Sequence, residues 1–453
     1  MTERDEYERV FESVRAWVEP DADEQARLTE AAAALLERTG EAIADLGVEA
    51  DTILVGSTAR GTWISGDRDI DVFVRFPESL AREDLERFGL QIGATVLPDG
   101  QKEYAEHPYT KGDYDGFSVD LVPCYAVPTA ADIKSAVDRT PFHTEYLDDH
   151  LTDDLAGEVR LAKQFLKGIG SYGSDLRTEG FSGYLTELLI LEYGSLLAFL
   201  EAAADWKPPV KFDPENHGQR SFTDPLVVID PTDPRRNVAA AVSPANVARL
   251  QHHARAFLVA PSETMFIPAT PDPLNTDQVR MAIDRRGTIP IAVRFETPDI
   301  VEDQLYPQLR KSIEGMASEL DRRGFDVLRT ATFAAETAVL FAELEVASRP
   351  AIERHEGPPV HVREHATGFY EKYADDPDAF GPFIDGDRYV VERDREFTTA
   401  RAFLESEALF DVALGATIQR QVEKEYEVLA GSDVADLAGE FGAQLAHYFS
   451  PKP

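Results

Sequence analysis

The sequence predicts a multidomain α+β protein: a small α/β head, a helical centre, an α/β body and a mixed tail. Three observations carry this. A chain of 453 residues is long enough for about three domains, each with its own core. Short apolar runs bounded by Gly, Ser and Asp alternate with longer stretches of helical period. A stretch with four prolines, Pro261 to Pro273, divides a first part from a second in which strand, helix, strand and strand follow one another.

Taken in order, Asp23 to Leu46 sets Leu28, Ala32, Leu35 and Leu36 on one side of a helix. Ile53 to Val55 reads as a strand running into a Gly56-Ser57 turn and the start of a helix. Asp69 to Val74 and Phe117 to Pro123 are two further short apolar strands. Leu155 to Leu200 reads as two long helices, with Phe165, Leu166, Leu185, Leu188 and Leu189 as core. A loop-rich stretch from Trp206 to Pro214 leads to a buried strand, Leu226 to Asp230, ending near Arg236, and Ser243 to Leu258 is a helix. Beyond the prolines, Ile289 to Phe295 is a strand, Val301 to Arg322 a helix, and Phe325 to Leu328 and Thr337 to Val346 strands. That order suggests an RRM-like sheet without paired RNP aromatics, so contact with RNA there need not use base stacking. From about Pro350 the tail mixes helices with a strand segment, Gly381 to Glu392. The expected domains are therefore 1–150, 151–265, 266–350 and 351–453.

The chemistry concentrates near residue 60. Successive side chains of a strand point to opposite faces, so Asp69 and Asp71 share one face while Ile70 and Val72 point into a core. Neighbouring carboxylates repel and tend to hold a proton unless a cation lies between them. Asp120 is a third acid embedded in a short apolar strand. If the two strands pair, three oxygen ligands converge on hard cations, favouring Mg²⁺ or Mn²⁺ over zinc. Two such ions, roughly 3.5 to 4 Å apart, would serve in-line phosphoryl or nucleotidyl transfer. Gly56 lets backbone approach a phosphate, the Ser57 hydroxyl and nearby amides can donate to it, and Arg60 adds charge. The Gly-x4-Gly-Thr spacing from Gly56 to Thr62 also resembles a P-loop, but the lysine that should precede Thr62 is missing.

With these motifs the chain resembles the DNA polymerase β superfamily of nucleotidyltransferases and, within it, the archaeal class I CCA-adding enzymes. The likeness extends through Arg160 to Gly173, Gly180 to Leu189, Asp230 to Ala240, Arg363 to Ala366 and Gly381 to Glu392. It implies a polymerase-β-like head, a helical central domain that binds nucleotide, and a body and tail that clamp the acceptor stem and T-arm half of tRNA. It also implies template-independent addition of C, C and A to tRNA 3′ ends from CTP and ATP, with pyrophosphate released, and repair of such ends. By similarity Asp69, Asp71 and Asp120 hold two Mg²⁺, with Asp120 nearest the attacking 3′-hydroxyl. Some relatives carry glutamate at the position of Asp69, and either side chain can ligate a metal. Gly56, Ser57, Arg60, Lys163 and Tyr172 correspond to triphosphate contacts, His143 to a nucleotide contact and Arg236 to a reader of the base edge. From the residues alone, Arg160, Lys163 and Lys167 form a short basic stripe on one helix face, and Arg235-Arg236 could equally be a charge pair at a helix start.

Composition raises an objection. A net charge of −38 should repel RNA, whose affinity for protein comes largely from Lys and Arg at phosphates. High salt resolves it, because at about 1 M the Debye length is roughly 3 Å and remote carboxylates are screened. Abundant acids, many alanines, and 11 Lys against 34 Arg suggest a halophile cytosol. The single cysteine, Cys124, excludes internal disulfides and a cysteine-based zinc site. There is no apolar run of about 18 residues and no basic-then-apolar leader, so a cytoplasmic protein without a membrane partner is expected. An apolar face or unpaired strand in the tail would suit a homodimer. The enzyme alternative is a poly(A) polymerase or oligoadenylate-type synthase, which would extend with ATP alone. The non-enzyme alternative is a silent RNA-binding relative, which has no physical need for three mutually repelling carboxylates.

Overall fold

The structure is a computed structural model that describes residues 3–104 and 106–453. The chain forms two compact units, Met1–Ala269 and Thr270–Lys452.

The first unit begins with helices α1 (Glu3–Val18) and α2 (Ala22–Leu46). Asp21 caps α2 in a reciprocal pair with Glu24, satisfying amide donors that a helix start leaves open. Five strands follow: β1 (Asp51–Val55), β2 (Asp69–Pro77), β3 (Gln101–Tyr104), β4 (Pro108–Tyr114) and β5 (Phe117–Ala126). A single helical turn, α3 (Gly56–Ala59), lies between β1 and β2, and helix α4 (Arg82–Val96) between β2 and β3. The sheet order is β1-β2-β5-β4-β3, with β2 and β5 parallel and the other neighbours antiparallel. Ile70, Val72, Val74 and Phe76 of β2 face one core with Leu35 and Ala42 of α2 and Leu85, Ile92 and Val96 of α4. The helix lies close to the sheet: a Cβ at Gly93 would stand 2.0 Å from Thr110 Oγ1.

The rest of this unit is α5 (Thr140–His150), α6 (Asp153–Gly168), α7 (Gly183–Tyr193), α8 (Leu196–Ala204), β6 (Val210–Phe212), β7 (Leu226–Asp230), β8 (Asp233–Asn237) and α9 (Pro244–Val259). The two long helices expected over Leu155 to Leu200 are three. A loop intervenes after Gly168, Ser182 caps α7, and α7 ends at Gly194, whose positive φ suits a helix stop before Ser195 caps α8. Arg235 and Arg236 lie on β8 and not at a helix start. Phe165, Phe181, Phe199, Phe257 and Phe266 fill a second core, which also takes Val10, Phe11, Val14 and Val18. The first helix therefore packs with the helical part and not with the sheet.

The second unit contains α10 (Thr276–Arg286), β9 (Ile289–Glu296), α11 (Glu302–Arg322), β10 (Val327–Ala334), β11 (Thr337–Leu344), β12 (Ile352–Pro359), α12 (Arg363–Tyr373), β13 (Ala379–Asp385) and β14 (Arg388–Asp394). It closes with α13 (Ala400–Leu404), α14 (Ala416–Val422), β15 (Glu427–Ala430) and α15 (Ala438–Phe449). Its main sheet runs β10-β11-β9-β15, antiparallel throughout. The fourth strand, β15, comes from the far end of the chain, so the body read as 266–350 borrows it from the stretch read as tail. A smaller sheet, β12-β14-β13, carries α12 against it through Phe369, Tyr373, His355 and Tyr389. Among the described residues no helix is long and apolar enough to cross a membrane.

Candidate active site

Strand register builds the acidic centre. On neighbouring strands Val55 faces Asp71, Asp71 faces Asp120 across the parallel β2–β5 pair, and Asp120 faces Lys111 across the antiparallel β5–β4 pair. Asp69 stands two residues before Asp71 on the same face, opposite Ser118, and is exposed. The intervening Ile70 and Val72 are fully buried on the other face. Burial, then the charges of Asp120 and Asp69, push the Asp71 carboxyl up to about 6. Burial also raises Asp120, against the pull of Lys111. Lys111 Nζ lies 3.3 Å from Asp120 Oδ1, an ion-pair distance, yet that buried oxygen receives no well-aligned hydrogen bond.

As the side chains lie, no group of three His, Cys, Asp or Glu among the described residues is arranged to enclose a metal ion. The donor set still fits a hard divalent cation. It offers carboxylate oxygens, a raised acid that a cation would return to its ionised form, and an oxygen already facing an ammonium group. Gly56 makes the approach tight: its φ is +78°, and a Cβ there would fall 2.1 Å from Asp71 Oδ2. Only glycine accommodates both conditions. Ser57 is half-buried on α3, and the neighbouring Thr58 hydroxyl donates to the Asp69 carbonyl at 2.6 Å, tying that turn to β2.

Arg60 and Lys163 converge on a different carboxylate, Glu187 of α7. Arg60 donates through Nη2 at 2.9 Å to Oε2 and through Nε at 3.3 Å to Oε1, while its Nη1 reaches Thr144 of α5. Lys163 Nζ donates to the Thr62 carbonyl and hydroxyl at 3.0 and 3.1 Å and sits 3.6 Å from Glu187 Oε1. The Thr62 hydroxyl in turn donates to Glu187. Burial alone would raise Glu187, but Lys163, Arg60 and Thr62 hold it below the ordinary carboxylate range. Tyr172 is half-buried with Lys167 Nζ 5.4 Å from its ring centre, and Lys167 pairs with Asp67 at 3.1 Å.

His143 and Arg236 meet at a third carboxylate, Asp230. His143 Nε2 and Arg236 Nη1 lie 2.9 and 2.8 Å from Asp230 Oδ2, and the Thr232 amide and hydroxyl donate to Oδ1. The His143 ring stacks on Tyr184, with centroids 3.9 Å apart. Burial would raise Asp230, but His143 and Arg236 hold it well below its usual range, and burial in turn lowers His143. A cavity of about 810 Å³ opens here, lined in part by Arg139, His143, Ser182, Tyr184, Arg220 and Arg236. Its stacked rings and donors suit a flat, polar-edged molecule such as a nucleobase.

Apart from Tyr172, which lies beside the Lys167–Asp67 pair, the residues singled out from sequence gather at three carboxylate centres. Four participants were not singled out: Lys111, Glu187, Asp230 and Tyr184. Lys111 is visible only through strand register. Glu187 left a readable signal, since it is a lone acid in the apolar run Leu185 to Ile190.

Residues 36–143 match the nucleotidyltransferase domain, 157–267 the second domain of tRNA nucleotidyltransferase, and 286–431 the C-terminal domain of CCA-adding enzyme. The CCA-adding enzyme of Haloarcula marismortui is 59% identical over 99% of this chain and 100% of its own length. That of Halorubrum lacusprofundi is also 59% identical, over 99% and 100%. The CCA-adding enzyme of Methanosarcina barkeri is 42% identical over 93% of each chain. With these matches running from the acidic centre to the second unit, the chain belongs to the family of CCA-adding enzymes, nucleotidyltransferases with a polymerase-β-like head.

Proposed function

We propose that this chain adds C, C and A in turn to the 3′ end of tRNA, taking CTP and ATP and releasing pyrophosphate, with Asp69, Asp71 and Asp120 as its metal-holding residues. The observation that carries the site is the register that sets Asp71 against Asp120 with Asp69 on the same face. Divalent metal use belongs to the family, and all-oxygen ligation favours Mg²⁺, two ions per site, over softer metals. Bound there, such ions supply positive charge at the reacting phosphate and acidify the attacking hydroxyl.

The chain's own residues do the rest. Asp120, paired with Lys111, is the residue proposed, by the resemblance, to stand nearest the 3′-hydroxyl. Gly56 admits the nucleotide's phosphates close to Asp71, and Ser57, Arg60, Lys163 and Tyr172 are the proposed donors to the triphosphate. His143 and Arg236 are proposed to hold the base, Asp230 keeping both in place. The second unit is the proposed seat of the upper half of tRNA.

The test uses tRNA transcripts ending at the discriminator base, at C and at CC, in high KCl with Mg²⁺, given CTP or ATP separately. Stepwise addition of C, C and A followed by arrest is expected, as is loss of all addition, with tRNA binding intact, in Asp71→Ala. Unlimited A addition would overturn the tRNA assignment, and undiminished addition by Asp71→Ala would remove the three-aspartate site.

A further inference from the structure

We infer that Glu187 is a positioning residue for nucleotide binding: it holds Arg60 and Lys163 side by side, both charged, with N–H groups of Arg60 left for the triphosphate. The inference rests on the assignment of those two cations to the triphosphate. Glu187 sits mid-helix on α7 and reaches three other segments. They are the turn after α3 through Arg60 and Thr62, α6 through Lys163, and α5 through the Arg60–Thr144 bond. Glu187 and Thr62 are fully buried and Lys163 nearly so, and the Arg60 side chain is only 7% exposed.

Two cations packed this closely would repel, and burying either alone is costly. One carboxylate between them removes much of that cost, with Asp67 adding a weaker pull on Lys163 and Asp71 and Asp148 lying within the field of Arg60. Donors are left over for an anion. A guanidinium has five N–H groups. Arg60 turns Nε–H and one Nη2 N–H, shared between the two carboxylate oxygens, toward Glu187 and one Nη1 N–H toward Thr144, leaving two. Lys163 gives two N–H groups to Thr62 and stands 3.6 Å from Glu187 Oε1. Fixing both side chains beforehand lowers the ordering cost that triphosphate binding would otherwise carry.

The arrangement also has a charge consequence. Lys163 is faced by Glu187 from α7, Arg60 from the turn after α3, Asp67 from the loop before β2 and Lys167 from its own helix, and both it and the Tyr172 hydroxyl lie beside Gly183. Burial and the two neighbouring cations favour loss of its proton, and Glu187 is the main group that keeps it. Without that carboxylate Lys163 loses its proton at lower pH and no longer attracts phosphate.

The test measures KM and kcat for CTP and ATP across the neutral to alkaline range in wild type, Glu187→Gln, and Glu187→Gln with Lys163→Arg. Glu187→Gln is expected to raise KM about tenfold, with kcat nearly unchanged and KM climbing further as pH rises. The added Lys163→Arg should flatten that climb, because a guanidinium does not deprotonate. A folded Glu187→Gln whose KM is unchanged, or follows the wild-type pH profile, overturns the inference. Should Glu187→Gln not fold, Glu187→Asp keeps the charge but shortens the reach. A severalfold rise in KM supports positioning, and a wild-type KM overturns it. Lys163→Gln separates the two levels of argument. If it leaves KM unaltered, the triphosphate assignment itself fails; if it raises KM while Glu187→Gln is silent, only the role of Glu187 falls.

Discussion

Asp71 occupies a position that costs the protein stability whenever no cation is bound. Its carboxyl is pushed from 3.8 up to about 6 by burial and by Asp120 and Asp69. A group raised in the folded state favours folding fully only below its unfolded pKa, and that contribution is lost as pH rises through the folded value. Between pH 3.8 and about 6, metal-free protein therefore loses about 3 kcal/mol from this one residue. Asp71→Asn should melt higher than wild type by about 5 °C at neutral pH in chelator. Adding Mg²⁺ should raise the wild type and leave the variant nearly unmoved. A variant that melts at or below wild type in chelator would sink this account. Asp230 has the opposite environment, since His143 and Arg236 keep it ionised. Asp230→Asn removes the charge that orients both, so correct addition should slow at least about tenfold and misincorporation on a transcript ending in CC should rise. Equal discrimination by the variant would separate Asp230 from base selection. The shared face of Asp69 and Asp71 was legible in the sequence because strands alternate with period two. The partners Lys111 and Asp230 were not, because a charge at a site is explained by what packs on it from distant segments; Glu187 was legible only as a lone acid in an apolar run, without its partners.

Among the elements, the meeting of α3 and β2 is the most constrained by geometry. The helical turn is only four residues long, and Gly56 opens it at φ +78° with Asp71 Oδ2 where a side chain would begin. Gly56→Ala must either strain the backbone or turn Asp71 away. A loss of about 1–3 kcal/mol of stability is expected from the backbone, and addition should fall at least about a hundredfold while the fold survives. Near-wild-type addition by a folded variant would show that this close approach is dispensable. Elements with one strong period were readable: α2 from its apolar spacing, and β2, β5 and β9 from short apolar runs between turn residues. Two classes were not. The helices α7 and α8 merged in the reading because both are apolar nearly all round, and only the Gly194-Ser195 punctuation separates them. Strand β10 runs longer than its apolar part, since an edge strand tolerates Arg329 and Thr332 where a central one does not. Strand β15 is four residues paired to β9 across more than a hundred positions of chain, and no local pattern announces such a partner.

For the whole molecule the controlling quantity is charge. Asp and Glu number 83 against 45 Lys and Arg. Ion pairs such as Arg75–Asp51, Arg294–Glu427 and Arg401–Glu405 use up cations that are already scarce, and acids remain in large excess. At about 0.1 M salt the Debye length is roughly 10 Å, enough for those acids to repel across a unit; near 1 M it is roughly 3 Å, and only direct contacts remain. The buried centres at Glu187 and Asp230 are shielded from solvent ions and should change little over that range. Stability should therefore rise steeply with KCl, through the surface and not through the site. The same argument reaches tRNA binding. Neutralising phosphates releases counterions, so affinity ordinarily falls steeply as salt rises. Here rising salt also screens the repulsion between a chain of net charge −38 and RNA, an effect of opposite sign. Measured on protein that is folded at every salt tested, the plot of log affinity against log KCl should be shallow, and it should steepen when exposed acids of α2, such as Glu37 and Glu41, are changed to Gln. Those changes remove repulsion and leave the phosphate contacts as they were. A wild-type slope as steep as that of a basic RNA-binding protein, unmoved by the substitutions, would mean that the acidic surface lies beyond the reach of the bound tRNA. Its role would then be confined to keeping the protein folded and dissolved in salt.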